Sequence, residues 1–175
     1  MGNSSIIKIL LSQYRAVLGM LRDVTEKVPE SEWDSKEYNN PNWQLIYHTI
    51  WSAKLYLSAS YETFEPFEGA IEGAESLGGD KDWENAEVEI IGLNSKQELL
   101  EFIQEVEQNL ESSLKQLPLE ADSGFEWYPY SRLELHLNTI RHIQHHTAQV
   151  IERLKSKGIK GFPWWIDQNK PGEWV

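Results

Sequence analysis

Five histidines carry most of the chemistry available to this chain: His48, His136, His142, His145 and His146. Three fall within positions 142–146, and His142 and His146 are four apart. On a helix, at about 100° per residue, that spacing leaves two side chains about 40° apart in direction, one turn above the other. Two imidazoles so placed can hold one metal ion from a single helix, as helical H-x-x-x-H pairs do. Leu135, Gln149 and Val150 fall on the same stripe, so the pair is expected to face inward. Burying two imidazoles without partners costs free energy, so something should satisfy them. His48, among Leu45, Trp51 and Leu55, is available as a third ligand. Read alone, a histidine in that setting is a hydrogen-bonded core residue. A tetrahedral site takes three or four ligands, and the chain has no cysteine to supply them. His145 points about 60° and His136 about 120° away from His142. Both are read as surface groups or as groups behind the ligands, with His145 in place of one of the pair as the rival arrangement.

Positioning these rings requires helices, and the hydrophobic pattern supplies four. The first covers about residues 5–28, where Ile7, Leu10, Tyr14, Val17, Leu18, Leu21 and Val24 recur at steps of three and four. The second covers about 42–60, a run of large apolar residues too long for a strand and free of internal Gly or Pro. The third, about 95–117, opens on the capping-box pattern Ser95-Lys96-Gln97-Glu98 and stops at Pro118. The fourth, about 131–157, opens on Ser131-Arg132-Leu133-Glu134 and ends before Gly158. Four long helices and no convincing strand predict an all-α fold, a four-helix bundle forming one domain over 1–175. Residues 29–41 read as a connection. Residues 61–94, with ten acidic side chains against Lys81 alone, read as a long crossover between parallel helices. Trp83 and Ile90-Ile91 suggest that part of it packs down. The tail 158–175, with Phe162, Trp164, Trp165 and Trp174, is expected to fold back over the bundle; a subunit contact or the roof of a pocket are the other readings.

Composition removes several classes of function. Sixteen Lys and Arg against 28 Asp and Glu give a net charge of −12 and a pI near 4.8. Such a chain repels phosphate backbones, so neither nucleic acid nor an anionic membrane surface is an expected partner. The absence of cysteine excludes disulfides, thiolate metal sites and cysteine nucleophiles, and fits a reducing compartment. No apolar run approaches the roughly 18 residues of a membrane span. Residues 1–11 lack the basic start and cleavage site of a signal peptide. The expected location is the cytoplasm.

The pieces Trp43-Gln44-Leu45-Ile46-Tyr47-His48 and His142-Ile143-Gln144-His145-His146-Thr147-Ala148-Gln149 resemble the DinB-like superfamily, which includes proteins of the YfiT type described as metal-dependent hydrolases. The resemblance implies a four-helix bundle of this length and a metal triad of His48, His142 and His146. It also implies a small-molecule substrate, either hydrolysed or joined to a low-molecular-weight thiol, and pairing into a homodimer. Thr147-Ala148 departs from the Arg-Gly common in that family. The crossover and the aromatic tail have no counterpart in the family pattern.

Three histidines leave a divalent metal with an open position, where a water or a thiol is activated near neutral pH. Imidazole suits several transition metals, with zinc expected first and nickel second. Gln149, three residues past His146, is placed to hold a ligand, and the Tyr14 hydroxyl on the inward face of the first helix is a candidate to reach the pocket. No Asp or Glu is clearly placed as a general base, which mildly favours thiol transfer. The competing function is a non-catalytic binding or interaction module with a structural metal or none.

Overall fold

The computed structural model describes residues 2–78 and 90–169. Among the described residues five α-helices form, α1 (Asn3–Lys27), a short α2 (Glu30–Trp33), α3 (Asn42–Leu57), α4 (Lys96–Gln116) and α5 (Arg132–Ser156), with one 3-10 turn at Tyr61–Thr63. The described residues contain no strand, only an isolated bridge between Asp122 and Ser131. The fold is all-α, a bundle of four long helices.

Both predicted capping boxes are made. Ser95 accepts from the Glu98 backbone N–H while Glu98 reaches back to Ser95, and Ser131 and Glu134 do the same for α5. Each such cap is worth about 1 kcal/mol. At the other end of α5, Gly158 takes φ +82. Its N–H bonds the Lys155 carbonyl and that of Ile159 bonds Leu154, closing a Schellman motif. The first helix starts earlier than expected, with Gly2 at its N-cap and no side-chain cap.

Around the bundle the order is α1, α4, α3, α5, each packed on the next, with α5 returning to α1. Leu55 packs with Leu135, and His48 meets His142, so α3 and α5 run antiparallel. Tyr47 packs on Phe102 and Lys54 pairs with Glu105, so α3 and α4 run parallel. Parallel neighbours need a long return, and residues 58–95 supply it. Phe67 stacks flat on Phe102 at 4.2 Å, which fastens the described start of the crossover to α4, and Asn94 donates to the Gly69 carbonyl, which ties its two described ends together. Ile90 packs against the core, Ile91 is 80% exposed, and Trp83 lies outside the described residues.

The connection 29–41 differs from its expectation. It contains α2, whose Trp33 is buried and donates its indole N–H to the Asn94 carbonyl at 2.9 Å. A four-residue helix is too short for a periodic signal, so pattern reading passes over it. The loop before α5 is closed by Arg132, fully buried, which donates to the carbonyls of Ser123 and Ser58. That loop crosses the end of α3 so closely that a Cβ on Gly124, at φ +87, would overlap the Ala59 carbonyl oxygen. The described part of the tail folds back on α1, as the first of its three readings had it. Trp165 lies in the notch over Gly19 and donates to Asp23, and Gln13 donates to the Ile166 carbonyl.

Candidate metal centre

α3 is covered by α4, α5 and the crossover, and 12 of its 16 residues are buried. His48 sits on the side facing α5, where His142 and His146 occupy successive turns. The three rings meet nitrogen to nitrogen. His48 Nε2 lies 3.1 Å from His142 Nε2, and His146 Nε2 lies 3.0 Å from the same atom. One ligand atom from each ring falls within 4.8 Å of the other two, and among the described residues no carboxylate joins them.

The outer nitrogens fix the tautomers. His48 Nδ1 stands 2.5 Å from the Glu75 carbonyl oxygen, which can only accept, so Nδ1 carries the hydrogen and Nε2 is bare. His146 Nδ1 donates likewise to Gln149 Oε1 at 2.6 Å, and its Nε2 is bare as well. Two bare nitrogens therefore flank His142 Nε2, which holds at most one hydrogen. At most one hydrogen, that of His142, is then shared among three converging ring nitrogens. Burial, with neighbouring imidazoles adding to it, pulls His142 down to about 3; burial likewise pulls His146 down to about 4. Both are neutral at physiological pH, the form in which imidazole ligates a metal.

Three converging ring nitrogens suit a divalent cation. Tetrahedral coordination at about 2.0–2.1 Å from nitrogen would set ligand atoms roughly 3.3 Å apart, close to the two separations that involve His142. The hydrogen bonds from Nδ1 to a carbonyl and to a side-chain amide are those that orient ligating histidines. The donor set thus fits a divalent metal. His142 lacks such support: its Nδ1 is buried with no hydrogen-bond partner.

The structure brings together His48, His142 and His146, with Gln149 against His146. It does not bring Tyr14 to them. The Tyr14 hydroxyl is buried 3.1 Å from His136 Nδ1, about 9 Å along the helix axis from His142. Burial raises the Tyr14 pKa and lowers that of His136 to about 4. His136 is 1% exposed, which corrects its reading as a surface group; its direction on α5 is filled by α1. His145 is exposed with its ring beside His146, outside the convergent set. Sequence reasoning missed the Glu75 carbonyl. Any residue type supplies a carbonyl, so no residue-level signal marked it.

The family profile of the DinB superfamily matches residues 13–150. That span holds all three histidines and most of the packed bundle, and the chain belongs to that superfamily. No curated protein matches the chain, and no solved structure does.

Proposed function

From its membership of the DinB superfamily, we propose that this protein is a metal-dependent enzyme acting on a small molecule. One divalent transition metal, zinc before nickel, is held by the Nε2 atoms of His48, His142 and His146. The observation that carries the reading is the convergence of three ring nitrogens, with His48 Nε2 and His146 Nε2 at 3.1 and 3.0 Å from His142 Nε2.

A divalent ion there supplies Lewis acidity that makes a water or a thiol available as a nucleophile near neutral pH. The chain's own part is to hold the rings. The Glu75 carbonyl fixes His48 and Gln149 fixes His146, each through Nδ1–H, which keeps both Nε2 lone pairs pointed at a common centre. Gln149 is therefore a positioning residue. Tyr14, committed to His136, has no part in this scheme. Among the described residues no Asp or Glu joins the cluster as a general base, which supports transfer of a low-molecular-weight thiol over hydrolysis. We further place the protein in the cytoplasm, on its lack of cysteine, and as a homodimer, on the exposed Trp164 and Ile166 of the tail. Among the described residues no helix is long and apolar enough to cross a membrane.

The test uses untagged protein, so that no metal is carried over from purification. Wild type is expected to retain close to one divalent ion per chain, and His142→Ala and His146→Ala to lose it. Equal metal in all three ends the proposal. A cobalt-loaded sample should change its visible spectrum on adding a small thiol. A spectrum indifferent to thiol and to azide, with a sharp fall in melting temperature on chelation, would make the metal structural and the protein a binding module.

A further inference from the structure

Beside the metal centre, on the outer side of His146, lies a cleft of about 310 Å³ lined by Tyr38, Gln149, Glu152, Arg153 and Ser156. Gln149 belongs to both places, lining the cleft while its Oε1 accepts from His146. Arg153 is seven residues beyond His146, which on a helix is two turns, about 10 Å, in nearly the same direction. Arginine side chains on a helix lean back toward its N-terminus, which brings the guanidinium nearer to the histidines.

Three groups, two from the connection after α2 and one from the first residue of α3, fix this guanidinium. Nη1 donates to the Asn40 carbonyl at 2.9 Å and to Asn42 Oδ1 at 3.2 Å, and the Arg153 Cζ lies 4.1 Å from the centroid of the Tyr38 ring. None of these partners is an anion. Among the described residues no carboxylate comes within 4.0 Å of Arg153 to form an ion pair, although Glu152 lines the same cleft. A planar cation held in place, short of a counter-charge and facing a cleft, is equipped to take a carboxylate or phosphate oxygen pair.

We propose that the cleft seats the anionic end of the small-molecule substrate, with Arg153 as the residue that selects for it. The inference rests on the metal-dependent reading for the other end of that molecule. A ligand with several carbons between its reacting atom and its anionic group, such as a six-carbon acid, would reach from the ring nitrogens to this cleft. Glu152 on the same wall disfavours a second negative charge and selects a monoanion. Tyr38 gives the aliphatic part an aromatic face to lie on.

The probes are 6-mercaptohexanoate and 6-mercaptohexanol, titrated into cobalt-loaded protein and followed by the visible spectrum. Wild type should bind the carboxylate at least tenfold more tightly. Arg153→Gln should erase that preference while leaving the affinity for mercaptohexanol unchanged. Equal affinity of wild type for the two thiols overturns the proposal, as does an Arg153→Gln protein that keeps the preference. A second measurement needs neither thiol nor variant. Hexanoate titrated into zinc-loaded wild type should move the Arg153 side-chain N–H resonance saturably, and hexanol should not. Saturation there, with a silent cobalt spectrum, keeps the anion seat and removes only the open-metal reading. An unmoved resonance removes the seat, whatever the cobalt sample does.

Discussion

Toward α3, the rings of His142 and His146 meet His48 nitrogen to nitrogen; toward α1, His136 meets the hydroxyl of Tyr14. One helix thus carries imidazoles into two seams of the same bundle. Burial is similar in kind, and it depresses His136 and His146 alike to about 4. The difference lies in what each ring nitrogen faces. His136 Nδ1 faces a hydroxyl that can donate or accept, so the protein satisfies it alone. In the α3 seam the ring nitrogens of His48, His142 and His146 face one another. A buried histidine is therefore not in itself a sign of function. Several whose ring nitrogens converge within hydrogen-bond distance make a candidate ligand set, because one divalent cation can take all of them.

The comparison is broken most directly by truncating each seam. His48→Ala, His142→Ala and His146→Ala should each lower zinc affinity by at least 100-fold in equilibrium dialysis, and His136→Ala should leave it within a factor of two. If His136→Ala lost metal to the same degree, the two seams would not be distinct. Gln149→Ala is expected to have a smaller effect of the same kind, a fall of about 10–100-fold in zinc affinity from loss of the ring's orientation. Metal competition with a chromogenic chelator reads it.

Acid sharpens the contrast in the metal-free protein. His142 near 3, and His136 and His146 near 4, all lie below the ordinary 6.5, so between those values the unfolded chain binds more protons than the folded one. Stability from these rings is full above about pH 6.5 and falls as pH drops toward 4, by up to about 1.4 kcal/mol per pH unit for each ring. Urea denaturation across that range should show the slope, and His136→Gln should remove one ring's share while leaving the other two. An unchanged slope would mean that the α1 seam does not titrate as a separate unit. The smallest effect is expected for Tyr14→Phe. It should cost about 1 kcal/mol in urea denaturation, through one buried hydrogen bond, without a change in bound metal.

Much of the architecture was legible in advance because it is set locally. The two capping boxes use residues three apart, and the stripes of α1 and α4 use steps of three and four. These interactions close within a turn or two and need no knowledge of distant chain. The bounds of α3 were read three residues too long, since Ser58 ends the helix by extending its backbone, which nothing in its type announces. α2 was hidden for a related reason: its stability comes from burying Trp33 against the crossover rather than from any run of its own.

The candidate site divides in the same way. Sequence by itself put His142 and His146 on one face of a helix, because a four-residue spacing and a helical rise fix their relation whatever surrounds them. It also made His48 available and fixed an acidic, cysteine-free chain. Only the packed structure decided that His48 lies opposite the pair, 94 residues away along the chain, and that His136 belongs to Tyr14. It alone brought the Glu75 carbonyl, 27 residues downstream, to His48. Those outcomes depend on the register in which helices slide past one another and on where a long crossover is fastened. Both are set by the sum of many weak contacts over the whole core, which no single stretch of sequence contains.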